Sequence, residues 1–173
     1  DDLAAIRASR PSSIAIFHFL NEVDVRDQAL LKDALLTRDA AIASDGMPYS
    51  VDGRVLEGDT WPIPEDADAH PRVAGTFARV LGTWVRERDA MTLNEAIRRS
   101  TLVPAQILEP ASPAFARKGR LQEGMDADIV VFDFAHISDK ATYVAPYLAS
   151  EGIRDLLVGG TPLIRDGELD LSM

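Results

Sequence analysis

The chain is 173 residues long, carries a formal charge of −10, is 46% hydrophobic and contains no cysteine. That length holds one domain, or one domain and part of another, with enough apolar residues for a core. The missing cysteines exclude disulfides and thiolate chemistry, and an acidic balance without a basic cluster argues against nucleic-acid and acidic-membrane surfaces.

No apolar run approaches the roughly 20 residues that span a bilayer. The chain opens Asp1-Asp2-Leu3-Ala4, with neither a starting methionine nor a basic-then-apolar leader. It is therefore expected to be a cut, processed or trimmed product, and a cytoplasmic setting is compatible with its composition.

Residues 12–20 (S-S-I-A-I-F-H-F-L) form a continuous apolar run after Pro11, the pattern of a strand covered on both faces. His18 within it reads as a packed histidine more readily than as a ligand. Residues 23–36 carry Val23, Leu30, Leu31, Ala34 and Leu35 at helical spacing, with Asp24 able to cap the start. Residues 41–49 (A-I-A-S-D-G-M-P-Y) read as a second short buried strand, ending in Ser44-Asp45-Gly46. Gly46 is expected to turn the backbone there. Strand, helix and strand then make a βαβ unit with a right-handed crossover. In α/β barrels catalytic side chains gather at the carboxyl ends of strands. A carboxylate at Asp45 can accept a proton, bind a metal or cap the next segment.

Residues 47–70 show neither period, apart from a small hairpin expected at Val51-Asp52-Gly53-Arg54-Val55. Trp61 and Ile63, flanked by prolines, suggest a loop pinned to the body, and a possible lid. Pro71 suits a first helical position. Val73, Phe77, Val80, Leu81, Trp84 and Val85 predict an apolar face on a helix ending near Arg88. Thr92 and Glu95 have capping-box spacing for a helix through Ser100, and Pro104 opens another to Leu108. Residues 109–117 read as a connector. Strands follow at 129–132, 153–158 and 162–165, the last two joined by a hairpin at Gly159-Gly160-Thr161, and Asp166-Gly167 marks a final turn. Neither the first quarter nor this last part closes a structure alone.

Three motifs together resemble the carboxyl-terminal part of the amidohydrolase superfamily. A-I-A-S-D-G-M-P is similar to its last barrel strand. H-P-R-V-A-G-T-F-A-R-V-L-G, residues 70–82, resembles the D-aminoacylase branch, the N-acyl-D-amino-acid deacylases. K-G-R-L-Q-E-G-M-D-A-D-I-V-V-F-D with the later G-G-T-P-L-I-R-D-G hairpin resembles the superfamily's exit from the barrel into a small β-sandwich.

The resemblance implies an α/β fold: the end of a metal-dependent (β/α)8 barrel over residues 1–117, with an irregular loop at 47–70, then sandwich strands over 118–173. It implies a zinc-dependent hydrolase cleaving N-acyl-D-amino acids to a carboxylate and a D-amino acid. The insertion with E-G-D-T-W-P points to N-acyl-D-glutamate or N-acyl-D-aspartate. By the same resemblance Asp45 is the general base and acid and a weak metal ligand, and Arg72 binds the substrate carboxylate. Ser44, Gly46 and Met47 line the substrate site, while His70 either helps bind substrate or caps the loop. The histidine pair, later histidines and cysteine that hold zinc in the family have no counterpart here. The chain is thus expected to pair with a missing amino-terminal segment or a second copy. Alternative readings are an inactive, self-associating fragment or another amidohydrolase of dihydroorotase-like type, against which H-P-R-x-x-G-T-F argues.

Overall fold

The computed structural model describes residues 2–9, 20–21, 24–58 and 60–170. The chain divides into two compact units, Asp1–Leu35 and Leu36–Met173. The first holds helices α1 (Asp2–Ser9) and α2 (Val25–Leu35). As expected, Asp24 caps α2, its carboxylate accepting the Arg26 N–H at 2.8 Å. The expected strand at 12–20 falls almost wholly outside the described residues. No helix among the described residues is long and apolar enough to cross a membrane.

In the second unit, residues 41–49 are not a strand. The expectation fails for a physical reason: a strand needs a ladder partner, and no described segment runs alongside this one. Its Ile42 N–H instead donates to the Arg99 carbonyl at 2.9 Å, and the Ile42 side chain is buried. The hairpin does form, as β1 (Ser50–Val51) and β2 (Arg54–Val55). Asp52 and Gly53 both take positive φ, 48° and 75°, which suits a tight two-residue turn. The following loop is tied back by paired backbone bonds between Ser50 and Asp68 and by buried Ala67, whereas Trp61 is 45% exposed. Trp61 is therefore not the pin.

The long helix starts one residue later than expected, α3 (Arg72–Arg79) following Pro71 at the cap, and continues as a π-helical stretch, Val80–Glu87. Its buried face differs from the expected apolar stripe. Phe77 is exposed, and Gly75, Ala78, Val80, Gly82, Trp84 and Val85 are covered. The glycines explain why. A Cβ on Gly82 would lie 2.6 Å from the Ile137 carbonyl oxygen, and one on Gly75 would strike the Asp139 carboxylate. The helix presses its backbone on residues 137–139, and fully buried Ile137 fills the seam. Arg86 fastens it by donating to the carbonyls of Phe134 (2.9 Å) and Ile137 (2.7 Å).

Helix α4 (Leu93–Ser100) is capped by the Thr92 hydroxyl, which accepts the Glu95 N–H at 3.2 Å. Glu95 does not complete the reciprocal box; its carboxylate takes Arg98 and Arg99 instead. Helix α5 (Leu102–Leu108) starts before Pro104, and the connector contains a 3₁₀ turn, Pro113–Arg117. The carboxyl-terminal strands β3 (Ile129–Phe132), β4 (Ile153–Val158) and β5 (Thr161–Arg165) form where expected. The Asp166-Gly167 turn adds β6 (Glu168–Leu169), giving one antiparallel sheet in the order β3-β4-β5-β6. No parallel strand pair occurs among the described residues.

Candidate active site

Two arginines place Asp45. The first, Arg99 on α4, is 7% exposed. Its Nε meets the Glu95 carboxylate at 2.6 Å and its Nη1 donates to the Thr37 carbonyl at 3.0 Å, while its own carbonyl receives the Ile42 N–H. This fixes the approach to Ser44. The Glu95 carboxyl is held down to about 2 by the hydrogen bonds of Arg98 and Arg99, so it stays charged in that contact. The second, Arg72 at the start of α3, reaches back. Its Nε donates to the Asp45 carbonyl oxygen at 2.7 Å, and its Nη2 lies 3.1 Å from Asp45 Oδ2.

Between these anchors the chain turns at Asp45 itself, whose φ is 48°. The expected turning residue, Gly46, has no positive φ. Aspartate tolerates the left-handed region better than most residues. Gly46 instead lies over α3, where a Cβ would sit 3.5 Å from the Val73 Cα, and its N–H donates to Ser44 Oγ at 3.3 Å. The Asp45 side chain is 90% exposed, so its ion pair with Arg72 is screened and contributes little to stability. Its value is geometric: a reachable carboxylate and a guanidinium on one small surface.

His70 holds the start of α3. Its Nδ1 accepts the Arg72 N–H at 3.1 Å, and its Nε2 lies 3.1 Å from the Tyr143 hydroxyl. The structure thus brings Ser44, Asp45, Gly46, His70 and Arg72 together. Met47 is exposed beside them. Sequence reasoning missed Arg99 and Tyr143. Arg99 carried a faint signal, as a helical cation four residues after Glu95; Tyr143, 73 positions from His70 in an irregular segment, carried none. His136 lies on the surface, paired with Asp133 at 2.8 Å, which keeps the Asp133 carboxyl below its ordinary range.

A catalytic zinc takes three protein ligands. Among the described residues no three His, Cys, Asp or Glu converge to hold a metal, and both His70 nitrogens are engaged. The donor set of this chain does not fit a catalytic metal by itself.

The sequence profile described as "Amidohydrolase family" matches residues 8–164. The chain is 46% identical over 98 residues to an N-acyl-D-glutamate deacylase of Alcaligenes xylosoxydans xylosoxydans, covering 57% of this chain and 19% of that protein. It is 34% identical over 168 residues to an N-acyl-D-aspartate deacylase of the same organism, covering 97% of this chain and 28% of the other. Among solved structures it resembles the N-acyl-D-glutamate deacylase of Bordetella bronchiseptica, complexed with zinc and a phosphonate mimic of the tetrahedral intermediate. That match has a TM-score of 0.52 and 44% identity over 61% of this chain and 22% of that one. A D-aminoacylase crystal structure matches with a TM-score of 0.59 and 30% identity over 84% of this chain and 26% of the other. The chain thus spans between 19% and 28% of these relatives. With a profile match running from the end of α1 to the last residues of β5, this chain belongs to the amidohydrolase family.

Proposed function

We propose that the chain is the carboxyl-terminal part of a zinc-dependent hydrolase that cleaves N-acyl-D-amino acids, N-acyl-D-glutamate foremost, into a carboxylate and a D-amino acid. The observation that carries this reading is the contact of Asp45 with Arg72 across 27 residues. An acid–base carboxylate and a carboxylate-binding guanidinium share one surface in a member of this family. Asp45 takes a proton from the attacking water and delivers it to the leaving amine. Arg72 receives the substrate carboxylate, its planar fork suiting a two-point contact. On binding, that carboxylate competes with Asp45 Oδ2 for the same Nη2. Ser44, Gly46, Met47 and His70 line the substrate site in this reading.

The zinc ligands come from outside this chain, in the rest of the same cytoplasmic enzyme, where residues 1–117 complete the barrel and 118–173 the sandwich. A second reading, an inactive self-associating piece, is favoured by the lack of converging metal ligands among the described residues. It predicts a zinc-free dimer or larger species.

The test is hydrolysis of N-acetyl-D-glutamate, N-acetyl-D-aspartate and N-acetyl-L-glutamate by the zinc-loaded full-length protein. The D-glutamate derivative should react fastest and the L-isomer least. Asp45→Asn should lower kcat by about 10²- to 10⁴-fold with its fold intact. Full activity in Asp45→Asn, or none in the wild type, would sink the reading.

A further inference from the structure

We propose that Tyr143 is a positioning residue for Asp45, acting through the tautomer of His70 and the backbone of Arg72. The proposal rests on the reading of Asp45 as the acid–base group.

The chain of contacts starts from a donor that has no alternative role. A backbone N–H can only donate, so the Arg72 N–H at 3.1 Å requires a bare lone pair on His70 Nδ1. In the neutral imidazole the ring proton then sits on Nε2, where the Tyr143 oxygen accepts it at 3.1 Å. Without that acceptor the ring has less reason to keep its proton on Nε2. A proton on Nδ1 would point at the Arg72 N–H and break the cap. The two rings meet edge to face, with centroids 5.1 Å apart and planes at 74°, which holds the imidazole in orientation.

Tyr143 is half exposed, and its place is set by the segment that carries it. That segment is tied to α3 by Asp139, which meets Arg79 at 3.3 Å and accepts the Ala141 N–H at 2.9 Å. Ser150 Oγ donates to the Ala74 carbonyl at 2.8 Å. Its position is therefore set independently of the loop it reads. Downstream, the Arg72 backbone fixed by His70 directs the guanidinium that grips the Asp45 carbonyl and carboxylate. That grip closes on a residue at φ 48°, so it fixes the direction in which the exposed Asp45 carboxylate is presented.

The decisive comparison is Tyr143→Phe made in two backgrounds of the full-length protein, wild type and His70→Asn. Asparagine offers its side-chain oxygen to the N–H two residues on, in place of Nδ1, and has no tautomer to choose. With His70 present, Tyr143→Phe should lower kcat about tenfold; with Asn at 70 the same change should cost less than about twofold. Hydrogen–deuterium exchange over residues 71–75 supplies a readout that needs no activity. It should speed up about tenfold in Tyr143→Phe and return toward wild type when His70→Asn is added, with β4 unchanged throughout.

Equal kcat penalties in both backgrounds would overturn the proposal, because the hydroxyl would then touch substrate directly or merely pack. Unchanged exchange at 71–75 in Tyr143→Phe, or a rise as large in β4, would overturn it as well. If the wild type shows no deacylase activity, the functional reading fails while the exchange data still decide the positioning role.

Discussion

Residues 41–49 and strand β3 are both short apolar stretches in the same compact unit, and they are held in unlike ways. Strand β3 exchanges backbone bonds with β4, from Ile129 opposite Leu157 to Phe132 opposite Ile153. Its position is a property of the peptide backbone and tolerates many side chains. Residues 41–49 are held by one backbone bond, from the Ile42 N–H to the Arg99 carbonyl, and by one guanidinium, that of Arg72 at Asp45. A ladder spreads its hold over many equal bonds, whereas the acid–base candidate depends on one guanidinium and the contacts that aim it. Functional side chains commonly sit on such irregular segments, braced by a regular frame.

The sharpest way to break this contrast is Arg99→Met. It removes a 2.6 Å contact to Glu95 and the donor to the Thr37 carbonyl from a nearly buried site. Glu95 keeps Arg98, so we expect a local loss of about 2 kcal/mol, read as faster amide exchange over residues 37–45 with β4 and β5 unaffected. An equal loss in the sheet would mean that the two regions open together. Gly160→Ala probes the other side. Gly160 sits at φ 83° in the β4–β5 turn, so a side chain there should cost about 1 kcal/mol. Exchange should rise in β4 and β5 and not at 37–45.

A smaller, graded effect comes from acid. Arg98 first, then Arg99, hold the Glu95 carboxyl at about 2, below its ordinary 4.5. A carboxyl whose folded value is depressed adds stability in full above its unfolded value and loses it as the pH falls through the folded one. The hold on residues 37–45 should therefore weaken between pH 4.5 and 2. Asp128, kept low by Lys118 and the Gly159 N–H, adds an acid-labile contact at the sheet's turn, but the ladder bonds themselves do not titrate. Exchange at 37–45 should lead that of β4 on the way down.

The same contrast explains what was legible in the sequence. Strands β4 and β5 could be read because each finds its partner next along the chain, with Gly159-Gly160 and Asp166-Gly167 marking the turns, and β3 because its four residues are one unbroken apolar run. The Asp52-Gly53 hairpin and the Thr92 cap were readable for the same local reason. Residues 41–49 carry a strand's composition, but composition cannot supply a neighbour. Phe77 looked like core because helical spacing counts apolar side chains. The helix buries Gly75 and Gly82 instead, a close approach that only the three-dimensional partner at 137–139 reveals. At the site, Asp45, Arg72 and His70 were visible through local motifs. Tyr143 was not, because its partner lies 73 positions away and no periodicity links them.

The residues linked to Asp45 all come later in the chain: Arg72 grips it, His70 meets Arg72, and Tyr143 meets His70. During synthesis at about 5 to 20 residues per second, Asp45 leaves the ribosome several seconds before the last of them exists. The contacts around Asp45 are thus completed late, once α3 and the segment docked on it have both been made.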